Sequence, residues 1–338
     1  MTEPKPLRFG LIGTGCIGRL HAEHLATRVR GASLAAVADI DLAAARKVAE
    51  RFHVNSATDD YRRLLEDASI DAVVICSVTS THTQFIQEAA AHGKHIFCEK
   101  PIGLDLERIA QALEAVDKAG VKLQVGFNRR FDPSFAKAKE MIASGKIGQP
   151  HMIRITSRDP EPPPLEYVKT CGGIFLDMTI HDFDMIRFLS SSEVEEIYVV
   201  GGALVIPEIG SLGEVDTCVL TMRLKNGMLA TIDNSLQSVY GYDQRAEVFG
   251  SAGMVMVGNR TPNNHICLDS EGVHTAKPQF FFLERYQESY LAEMQAFVES
   301  IVHDRAPAVT GKDGLAPVII GLAARKSLRE RQPVKITS

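Results

Sequence analysis

The first third of the chain alternates short apolar runs with longer segments of helical spacing. The apolar runs predict β-strands; they are LRFGLIGTG (7–15), SLAAVADI (33–40), DAVVICSVT (71–79), HIFCEKP (95–101) and KLQVGFNRRF (122–131). Strands that are apolar throughout and separated by helices are typical of a parallel sheet covered on both faces. We therefore predict an α/β fold that begins with a doubly wound domain over residues 1–128.

The pattern changes after this region, because strands then follow one another without helices between them. The helical segment DPSFAKAKEMIASG (132–145) is followed by the strand HMIRITSR (151–158). The runs that follow directly on one another are EEIYVVGGALV (195–205), DTCVLTMRL (216–224), MLATIDNSLQS (228–238), QRAEVFG (244–250) and AGMVMVG (252–258). Asn226-Gly227 between two of them predicts a hairpin. Helical segments at about 282–303 and 312–330 close the chain. We predict an α+β domain over residues 129–338 with a large, mainly antiparallel sheet.

Composition excludes several classes of function. The chain has 338 residues, of which 45% are hydrophobic and 23% charged, with a net charge of -5. This charge and the absence of a basic run predict no nucleic-acid partner. No run reaches the ~18 apolar residues of a membrane span, and the opening MTEPKPLRFGLIG lacks a secretory signal. The six cysteines are scattered without a CxxC pair, which favours reduced thiols in a cytoplasmic protein.

The first predicted strand runs directly into a glycine-rich turn. Gly13-Thr14-Gly15-Cys16-Ile17-Gly18 matches GxGxxG between a strand and a helix, the context that a dinucleotide-binding (Rossmann) turn needs. The glycines permit a tight turn and let a pyrophosphate approach the helix N-terminus. Asp39, followed by Ile40, ends the second strand, where a carboxylate can accept hydrogen bonds from ribose hydroxyls. Its charge would repel a 2′-phosphate, so the expected cofactor is NAD rather than NADP.

Two further features of the first domain carry polar residues with several interpretations. Lys100 follows a buried strand in CEKPIG, at the sheet edge where such folds bind ligands, and either pairs with Glu99 or takes part in chemistry. His21 and His24 lie on the first helix at a spacing that suits a metal, although such histidines more often serve packing.

The segment GGIFLDMTIHDFDMIRFL (172–189) is strongly apolar yet contains a narrow polar stripe. At 100° per residue, Asp177, His181 and Asp184 fall within an arc of about 60° on one helix. A buried stripe of this kind must be satisfied by partners or used in chemistry. Asp-x-x-x-His could also be a metal site, if Asp184 or Asp159 supplied further ligands, or a structural pair without chemistry.

Together, GTGCIG, CEKPIG, NRRFD and GGIFLDMTIHDFD resemble the oxidoreductase family that includes glucose-fructose oxidoreductase and inositol 2-dehydrogenase. The resemblance covers nearly the whole chain and is closest to inositol 2-dehydrogenases. It implies a catalytic lysine at Lys100, followed by a cis proline at Pro101, and the family's aspartate and histidine at Asp177 and His181. It also implies a homo-oligomer formed through the sheet, often a tetramer. Because a lysine is expected at the same cleft as Asp177 and His181, we expect no metal there.

The chemistry of alcohol oxidation is compatible with these roles. A histidine with a pKa near neutrality suits a general base, and a lysine can stabilise a developing alkoxide. Asp177 could orient the His181 ring or hold a neighbouring hydroxyl. We expect Lys100 from the first domain and His181 from the second to act on a single carbinol.

Further site residues are expected around these groups. We predict cofactor contacts from Ser77, His82, Glu99, Lys100 and Asn128 in addition to the glycine turn, Asp39 and Ile40. The predicted substrate contacts are Lys100, Arg129, Asp159, Asp177, His181, Asp184, Tyr240 and Tyr242. Such a set of donors and acceptors suits a polyol. The loop EPPPLEYVKT (161–170) leaves the particular polyol open.

The expected activity is the NAD-dependent oxidation of a cyclic polyol, namely myo-inositol to 2-keto-myo-inositol, or scyllo-inositol. The alternatives are the oxidation of a pyranose sugar and a redox-neutral glycosidase that uses a tightly held NAD. A non-enzymatic sugar sensor on the same fold is a third class. The presence of Lys100, Asp177 and His181 argues against a sensor.

Overall fold

The computed structural model of the chain describes residues 5–336. The first four residues, which begin the segment considered for a signal, and the last two lie outside the described residues. Between residues 5 and 336, every helix is too short or too polar to cross a membrane. The chain divides into two compact units. The first contains the residues up to Asn128 together with Glu288–Val318, and the second contains Arg129–Gln287 together with the residues from Ile319 onward.

The first unit begins with the predicted alternation of strands and helices. In chain order the elements are β1 (Leu7–Ile12), α1 (Cys16–Thr27), β2 (Ala32–Ala38), α2 (Leu42–Arg51), β3 (Ala57–Thr58), α3 (Arg62–Glu66), β4 (Ala72–Ile75), α4 (Thr79–Ala91), β5 (His95–Glu99), α5 (Leu106–Ala119) and β6 (Leu123–Gly126). Local signals explain several boundaries. The Asp41 carboxylate caps α2 by accepting from two backbone N–H groups, and Gly120 ends α5 in the left-handed region.

The strands of this unit form one parallel sheet in the order β3-β2-β1-β4-β5-β6. Because the order reverses between β1 and β4, the crevice beyond their carboxyl ends is the expected ligand site of such a sheet. The loops that border this crevice are the glycine turn after β1 and the segment from Ser77 after β4. The predicted doubly wound fold of this region is confirmed.

The second unit carries the strands that follow one another in sequence. Its elements are a 3-10 turn (Asn128–Phe131), α6 (Pro133–Ala143), β7 (Pro150–Arg158), α7 (Leu165–Val168), α8 (Gly173–Asp177), α9 (Thr179–Ser190), β8 (Val194–Gly202), α10 (Pro207–Ser211), β9 (Thr217–Leu224), β10 (Leu229–Ser235), β11 (Asp243–Gly250), β12 (Gly253–Val257), β13 (Ile266–Asp269), β14 (Gly272–Thr275) and α11 (Phe282–Arg285). The chain ends with α12 (Gln287–Val302), α13 (Gly311–Glu330) and β15 (Val334–Lys335).

Seven strands form the large sheet of the second unit, in the order β12-β11-β7-β10-β9-β8-β15. All neighbours are antiparallel except β7 and β10, which run parallel, so the sheet is mixed and mostly antiparallel. The predicted hairpin at Asn226-Gly227 joins β9 to β10, with Gly227 at a φ of 87°. On one face the sheet packs against α9, and buried residues alternate with exposed ones along β9.

The predicted division into 1–128 and 129–338 differs from the observed units at the end of the chain. Residues 288–318 belong to the first unit, because α12 packs on the parallel sheet. Met294, Phe297 and Val298 of α12 are buried in the same apolar cluster as Phe9 and Phe97 of β1 and β5. The boundary at 128/129 coincides with an observed one, whereas the second domain lacks the segment 288–318.

Candidate functional site

The turn between β1 and α1 has the geometry of a phosphate cradle. Gly13 has a φ of 97°, and a Cβ there would lie 2.6 Å from the backbone of Cys76. At Gly18, a Cβ would lie 2.0 Å from the carbonyl oxygen of Gly13, so the helix packs directly on the turn. Gly15 differs, because a Cβ there would meet nothing within 4 Å. It faces open space at the N-cap of α1, which has no side-chain cap, so the N–H groups of the first turn can bind an anion.

Asp39 organises the neighbouring end of β2. Its carboxylate accepts hydrogen bonds from the Thr14 N–H and hydroxyl, both at 2.6 Å, and from the Asp41 N–H at 2.9 Å. Partial burial opposes the charge, but the hydrogen bonds from Thr14 and Asp41 outweigh it and lower the pKa of Asp39. Next to it, the Ile40 side chain is 95% exposed. An anionic acceptor beside an exposed apolar side chain fits the ribose and adenine of a dinucleotide.

The loop after β4 places only part of its predicted contacts at the surface. Ser77 is half-buried, and its hydroxyl pairs with that of Thr81 at 2.7 Å. His82 is 1% exposed; its Nδ1 lies 2.8 Å from the Pro101 carbonyl oxygen and its Nε2 lies 3.0 Å from the Ser77 carbonyl oxygen. The predicted direct contact of His82 with the cofactor therefore does not fit. The ring instead holds the Ser77 loop against the end of β5, and burial lowers its pKa.

The end of β5 carries Glu99, Lys100 and Pro101. Lys100 is half-buried, and the peptide bond to Pro101 is cis, as the resemblance implies. Glu99 is 8% exposed and points into the first unit, where its Oε1 lies 2.8 Å from His21 Nε2. This placement does not fit the predicted contact of Glu99 with the cofactor. Asn128, at the end of this unit, is also buried, at 1% exposure.

The polar stripe of residues 172–189 is divided into two groups by the tertiary structure. The predicted single helix is interrupted at Met178, so Asp177 ends α8 and His181 lies in α9. Two acids of this segment are fully buried, namely Asp184 of the stripe and Asp182 beside it. Asp182 accepts from Arg129 Nη1 at 2.7 Å, and Asp184 receives a two-pronged contact from the Arg130 guanidinium at 2.6–3.1 Å. The predicted substrate contact of Asp184 does not fit, because this ion pair occupies its carboxylate at 1% exposure.

The other two members of the stripe, Asp177 and His181, are only half-buried. Asp177 Oδ1 accepts a hydrogen bond of 3.0 Å from the hydroxyl of Tyr167, which comes from the loop EPPPLEYVKT. Burial and the charge of Asp177 raise the pKa of Tyr167, so its hydroxyl remains a donor at neutral pH. Tyr167 was not among the predicted site residues. An aromatic residue in a loop carries no periodic signal, and only the folded loop brings it to Asp177.

Arg129, Tyr242 and Asp159 are neighbours on the same unit. Arg129 is 4% exposed, donates to Tyr242, and has its guanidinium 5.6 Å from the centre of the Tyr286 ring. The charge of Asp159 contributes to the pKa of both Arg129 and Tyr167, which places it close to these two side chains. Three of the predicted substrate residues are therefore brought together, and Tyr167 connects them to Asp177.

Tyr240 lies elsewhere. Its hydroxyl donates to Asp243 Oδ2 at 2.6 Å and accepts from Arg158 Nη1 at 3.0 Å. Arg158 and Asp233 form an ion pair on the outer face of the seven-stranded sheet. The neighbouring Ser157 side chain lies on the opposite face, where its hydroxyl donates to Asp182 of α9. The predicted substrate contact of Tyr240 does not fit this position. Neighbouring residues in a loop often face different ways, and VYGYD could not show which tyrosine faces inward.

A cluster of three possible metal ligands lies in the first unit. Of its members, the sequence analysis considered only His21 as a metal ligand. Ligand atoms of His21, Glu99 and Glu293 lie within 4.8 Å of one another, and all three side chains are buried. His24, the other histidine considered as a ligand, is not in this group; burial together with the charges of His21 and Arg28 lowers its pKa to about 4. Glu293 was not predicted, because it comes from α12, far away in sequence.

Comparisons with known proteins relate both parts of the chain to one family. Residues 7–127 match a family model described as an oxidoreductase family with an NAD-binding Rossmann fold, and residues 135–256 match the GFO/IDH/MocA C-terminal domain. The chain is 47% identical over 330 residues to a myo-inositol 2-dehydrogenase of Thermotoga maritima, covering 98% of each chain. It is 42% identical to an inositol 2-dehydrogenase of Rhizobium meliloti, covering 98% of this chain and 99% of the relative.

A solved structure extends the comparison to bound ligands. The scyllo-inositol dehydrogenase of Lactobacillus casei, described with bound NAD(H) and scyllo-inositol, superposes with a TM-score of 0.93 at 32% identity, covering 99% of this chain and 100% of that one. Both units of the present chain are thus matched by full-length relatives. The chain belongs to the GFO/IDH/MocA oxidoreductase family, whose first domain is an NAD-binding Rossmann fold.

Proposed function

We propose that this protein oxidises a secondary hydroxyl of a cyclic polyol with NAD, converting myo-inositol to 2-keto-myo-inositol or acting on scyllo-inositol. The observation that carries the proposal is the full-length similarity to inositol 2-dehydrogenases at 42–47% identity. The second unit supports it with a group of carboxylates, phenols and a guanidinium that Tyr167 joins to Asp177, which suits a substrate with many hydroxyls.

The residues of the first unit fit NAD. The open space at Gly15 and the uncapped N-terminus of α1 would hold the pyrophosphate, and the Asp39 carboxylate would accept from the adenosine ribose. The same carboxylate disfavours a 2′-phosphate, which supports NAD over NADP. When bound, the nicotinamide supplies the hydride acceptor. Val78, which is 69% exposed, and Ser77 belong to the loop that would lie beside it.

We assign His181 as the general base that removes the hydroxyl proton. Asp177 holds a neighbouring substrate hydroxyl or the His181 ring, and the Tyr167 hydroxyl steadies its carboxylate. Lys100 stabilises the developing negative charge on the reacting oxygen. Asp159, Arg129 and Tyr242 shape the substrate side of the same group.

The direct test follows the absorbance of reduced nicotinamide when the protein is mixed with NAD and either myo-inositol or scyllo-inositol. We expect turnover with at least one isomer, and a loss of about 10²–10⁴-fold in Lys100→Met and His181→Ala with NAD binding retained. Lys137→Met and His274→Ala, both at exposed positions, serve as matched controls. Turnover of both catalytic variants at the wild-type rate would refute the assigned roles.

The same assay separates the alternatives. Turnover with an aldopyranose and with neither inositol would favour a sugar dehydrogenase. Cofactor that co-purifies, never exchanges and supports cleavage of a glycoside would favour the redox-neutral glycosidase. Activity that disappears on treatment with a chelator would favour the metal alternative at Asp177 and His181. A protein that binds a polyol without any of these reactions would be a sensor.

We also propose that the protein is a homotetramer of the cytoplasm. The outer face of the seven-stranded sheet carries exposed apolar side chains on several strands, namely Val200, Val219, Leu229, Phe249 and Met256; Met256 belongs to β12 at the sheet edge. Contiguous exposed apolar surface usually marks an association site. Light scattering coupled to size exclusion should give four times the mass of 37.0 kDa. A monomer at micromolar concentration would contradict the assembly.

A further inference from the structure

Asp177, which the proposed function places on the substrate, is the last residue of a very short helix. α8 contains only five residues, Gly173–Asp177, and begins at Gly172 without a side-chain cap. At 1.5 Å per residue it is about 7–8 Å long, and a helix of this length is not stable by itself in water. Its position therefore depends on contacts with other elements. The groups that hold the first residues of α8 help to determine where Asp177 lies.

The long helix α13 packs directly on α8. A Cβ on Gly321 of α13 would lie 2.5 Å from Leu176 Cδ2, so the missing side chain lets the two helices approach closely. Arg325 lies one helical turn later on the same face of α13. Its Nη2 donates to the backbone carbonyl oxygen of Gly172 and, at 3.2 Å, to Glu214 Oε1. α13 thus contacts both the beginning and the later part of α8.

The Glu214 carboxylate fills the space beside Gly173. A Cβ on Gly173 would lie 2.0 Å from Glu214 Oε2 and 2.5 Å from its Cδ. Gly173 also has a φ of 68°, so both the available space and the backbone conformation favour glycine. This accounts for the second glycine of the GG that precedes the polar segment. Glu214 and Arg325, an ion pair of two half-buried side chains, together contact the two glycines that begin α8.

The segment that carries Glu214 is itself fixed. Residues 203–214, here named the brace loop, follow β8 and include α10. The carboxylate of Asp216, which is 0% exposed, accepts hydrogen bonds of 2.8–2.9 Å from three successive backbone N–H groups of this loop, those of Leu204, Val205 and Ile206. α10 packs against α7, the helix that carries Tyr167. The brace loop therefore supports both routes to Asp177, the backbone of α8 and the hydroxyl of Tyr167.

We propose that Glu214 and Arg325 are positioning residues for Asp177, which they hold in place through the first turn of α8. Their effect reaches the substrate only through Asp177, so the inference rests on the proposed function. A misplacement of about 1 Å can lower a rate by as much as ~10²-fold. A loosened α8 would therefore weaken the binding of the polyol.

A purely structural ion pair would give a different result. Its loss lowers stability, and a smaller folded fraction lowers the apparent kcat without changing any KM. Displacement of Asp177 raises the KM for the polyol instead. The KM for NAD stays the same, because the NAD-binding fold lies in the first unit. The KM for the polyol is thus the quantity that separates the two roles.

Steady-state kinetics of Arg325→Met and Arg325→Lys test the positioning role. Arg325→Met removes both hydrogen bonds, and we expect its KM for the polyol to rise about tenfold with the KM for NAD unchanged. Arg325→Lys keeps a charged donor and should recover most of this loss. Arg329→Met, one turn further along α13 at a side chain that is 75% exposed, is the matched control and should keep the wild-type KM. An unchanged KM for the polyol in Arg325→Met would overturn the positioning role.

A double-mutant cycle tests whether the two side chains act together. Glu214→Ala removes the carboxylate beside Gly173 and should raise the KM for the polyol several-fold. Because Arg325 and Glu214 are bonded to each other, the double variant Glu214→Ala/Arg325→Met should raise the KM by less than the product of the two single effects. Effects that multiply fully would contradict a shared action of the pair.

Hydrogen exchange separates this inference from the proposed function, because it needs no substrate. In Arg325→Met we expect the amides of residues 165–177 to exchange about tenfold faster than in the wild type, with exchange in β9 and β10 unchanged. Unchanged exchange in 165–177, or faster exchange throughout the second unit, would overturn the proposed brace. A wild-type protein that oxidises no polyol would refute the proposed function, and the exchange result would still decide whether Arg325 holds α8.

Discussion

Removal of the Asp182 carboxylate should destabilise the second unit more than most single substitutions do. Asp182 is 0% exposed and accepts hydrogen bonds from Arg129 Nη1 at 2.7 Å, Ser157 Oγ at 2.6 Å and Asn234 Nδ2 at 2.9 Å. Ser157 and Asn234 keep other partners in Asp182→Ala, since Ser157 Oγ also lies 3.1 Å from Gln244 Oε1 and Asn234 Nδ2 also lies 3.3 Å from the Ser157 carbonyl oxygen.

The cost therefore falls mainly on Arg129. Its guanidinium is 4% exposed and loses the carboxylate that balances its charge. Breaking a buried ion pair from one side costs about 3–5 kcal/mol. The free energy of unfolding of a whole domain is only about 5–15 kcal/mol. Asp182→Ala should thus lose a large part of the stability of the second unit.

Urea unfolding followed by far-ultraviolet circular dichroism measures this effect. Circular dichroism is used because the chain has no tryptophan to report unfolding by fluorescence. The two compact units can unfold in two separate transitions. Deuterium exchange of peptides from β7 and β10 then identifies which transition belongs to the second unit. Glu140→Ala is a matched control, because it removes a carboxylate from an exposed pair with Lys137 and should cost less than about 0.5 kcal/mol. If Asp182→Ala lowers the free energy of unfolding by less than about 1 kcal/mol, the Arg129 guanidinium is not left buried without a counter-charge, and the reasoning is wrong.

Three further predictions concern the cofactor turn and the substrate side. Asp39→Ala should weaken NAD binding by about tenfold or more, because it removes a charged hydrogen-bond acceptor. The same variant should also reduce the ratio of the affinity for NAD to the affinity for NADP. Binding titrations with both nucleotides measure the two dissociation constants. Gly15→Ala should bind NAD more weakly at unchanged thermal stability, because a Cβ at Gly15 meets nothing within 4 Å in the protein. Gly18→Ala should lower the melting temperature, because its Cβ would lie 2.0 Å from a backbone oxygen. Equal melting temperatures of the two variants would contradict this difference in packing. Tyr167→Phe should raise the KM for the polyol several-fold and leave the KM for NAD unchanged, because the Tyr167 hydroxyl bonds to Asp177; steady-state kinetics with each substrate varied would show it.

Local patterns were sufficient to predict the fold of the glycine turn and the end of β2. The strand, glycine turn and helix of GxGxxG are neighbours in sequence, so their mutual geometry depends on backbone sterics over a few residues. The position of Asp39 beside the glycine turn was predictable for a related reason. The carboxyl ends of adjacent parallel strands meet at one edge of the sheet, so the end of β2 lies next to the end of β1. The cap at Asp41 and the hairpin at Gly227 follow equally local rules.

The polar stripe shows where a local rule stops. Helical spacing placed Asp177, His181 and Asp184 on one arc, yet the Asp184 carboxylate is occupied by Arg130 while the other two stay half-buried. Periodicity indicates which way a side chain points along its own helix, and it carries no information about the partner that another element supplies. Arg129 and Arg130 of NRRF instead determine which acids of this segment, Asp182 and Asp184, are held in buried ion pairs.

The sequence by itself determined most of the elements, the alternation that makes a parallel sheet, and the glycine turn that fits a dinucleotide, because each depends on residues close together in the chain. Only the tertiary structure decided that α12 returns to the first unit and that Glu293 is buried beside Glu99 and His21. It likewise decided that Tyr167 reaches Asp177. Such pairings depend on the packing of elements far apart in sequence, where the burial of apolar surface fixes positions that no local pattern encodes.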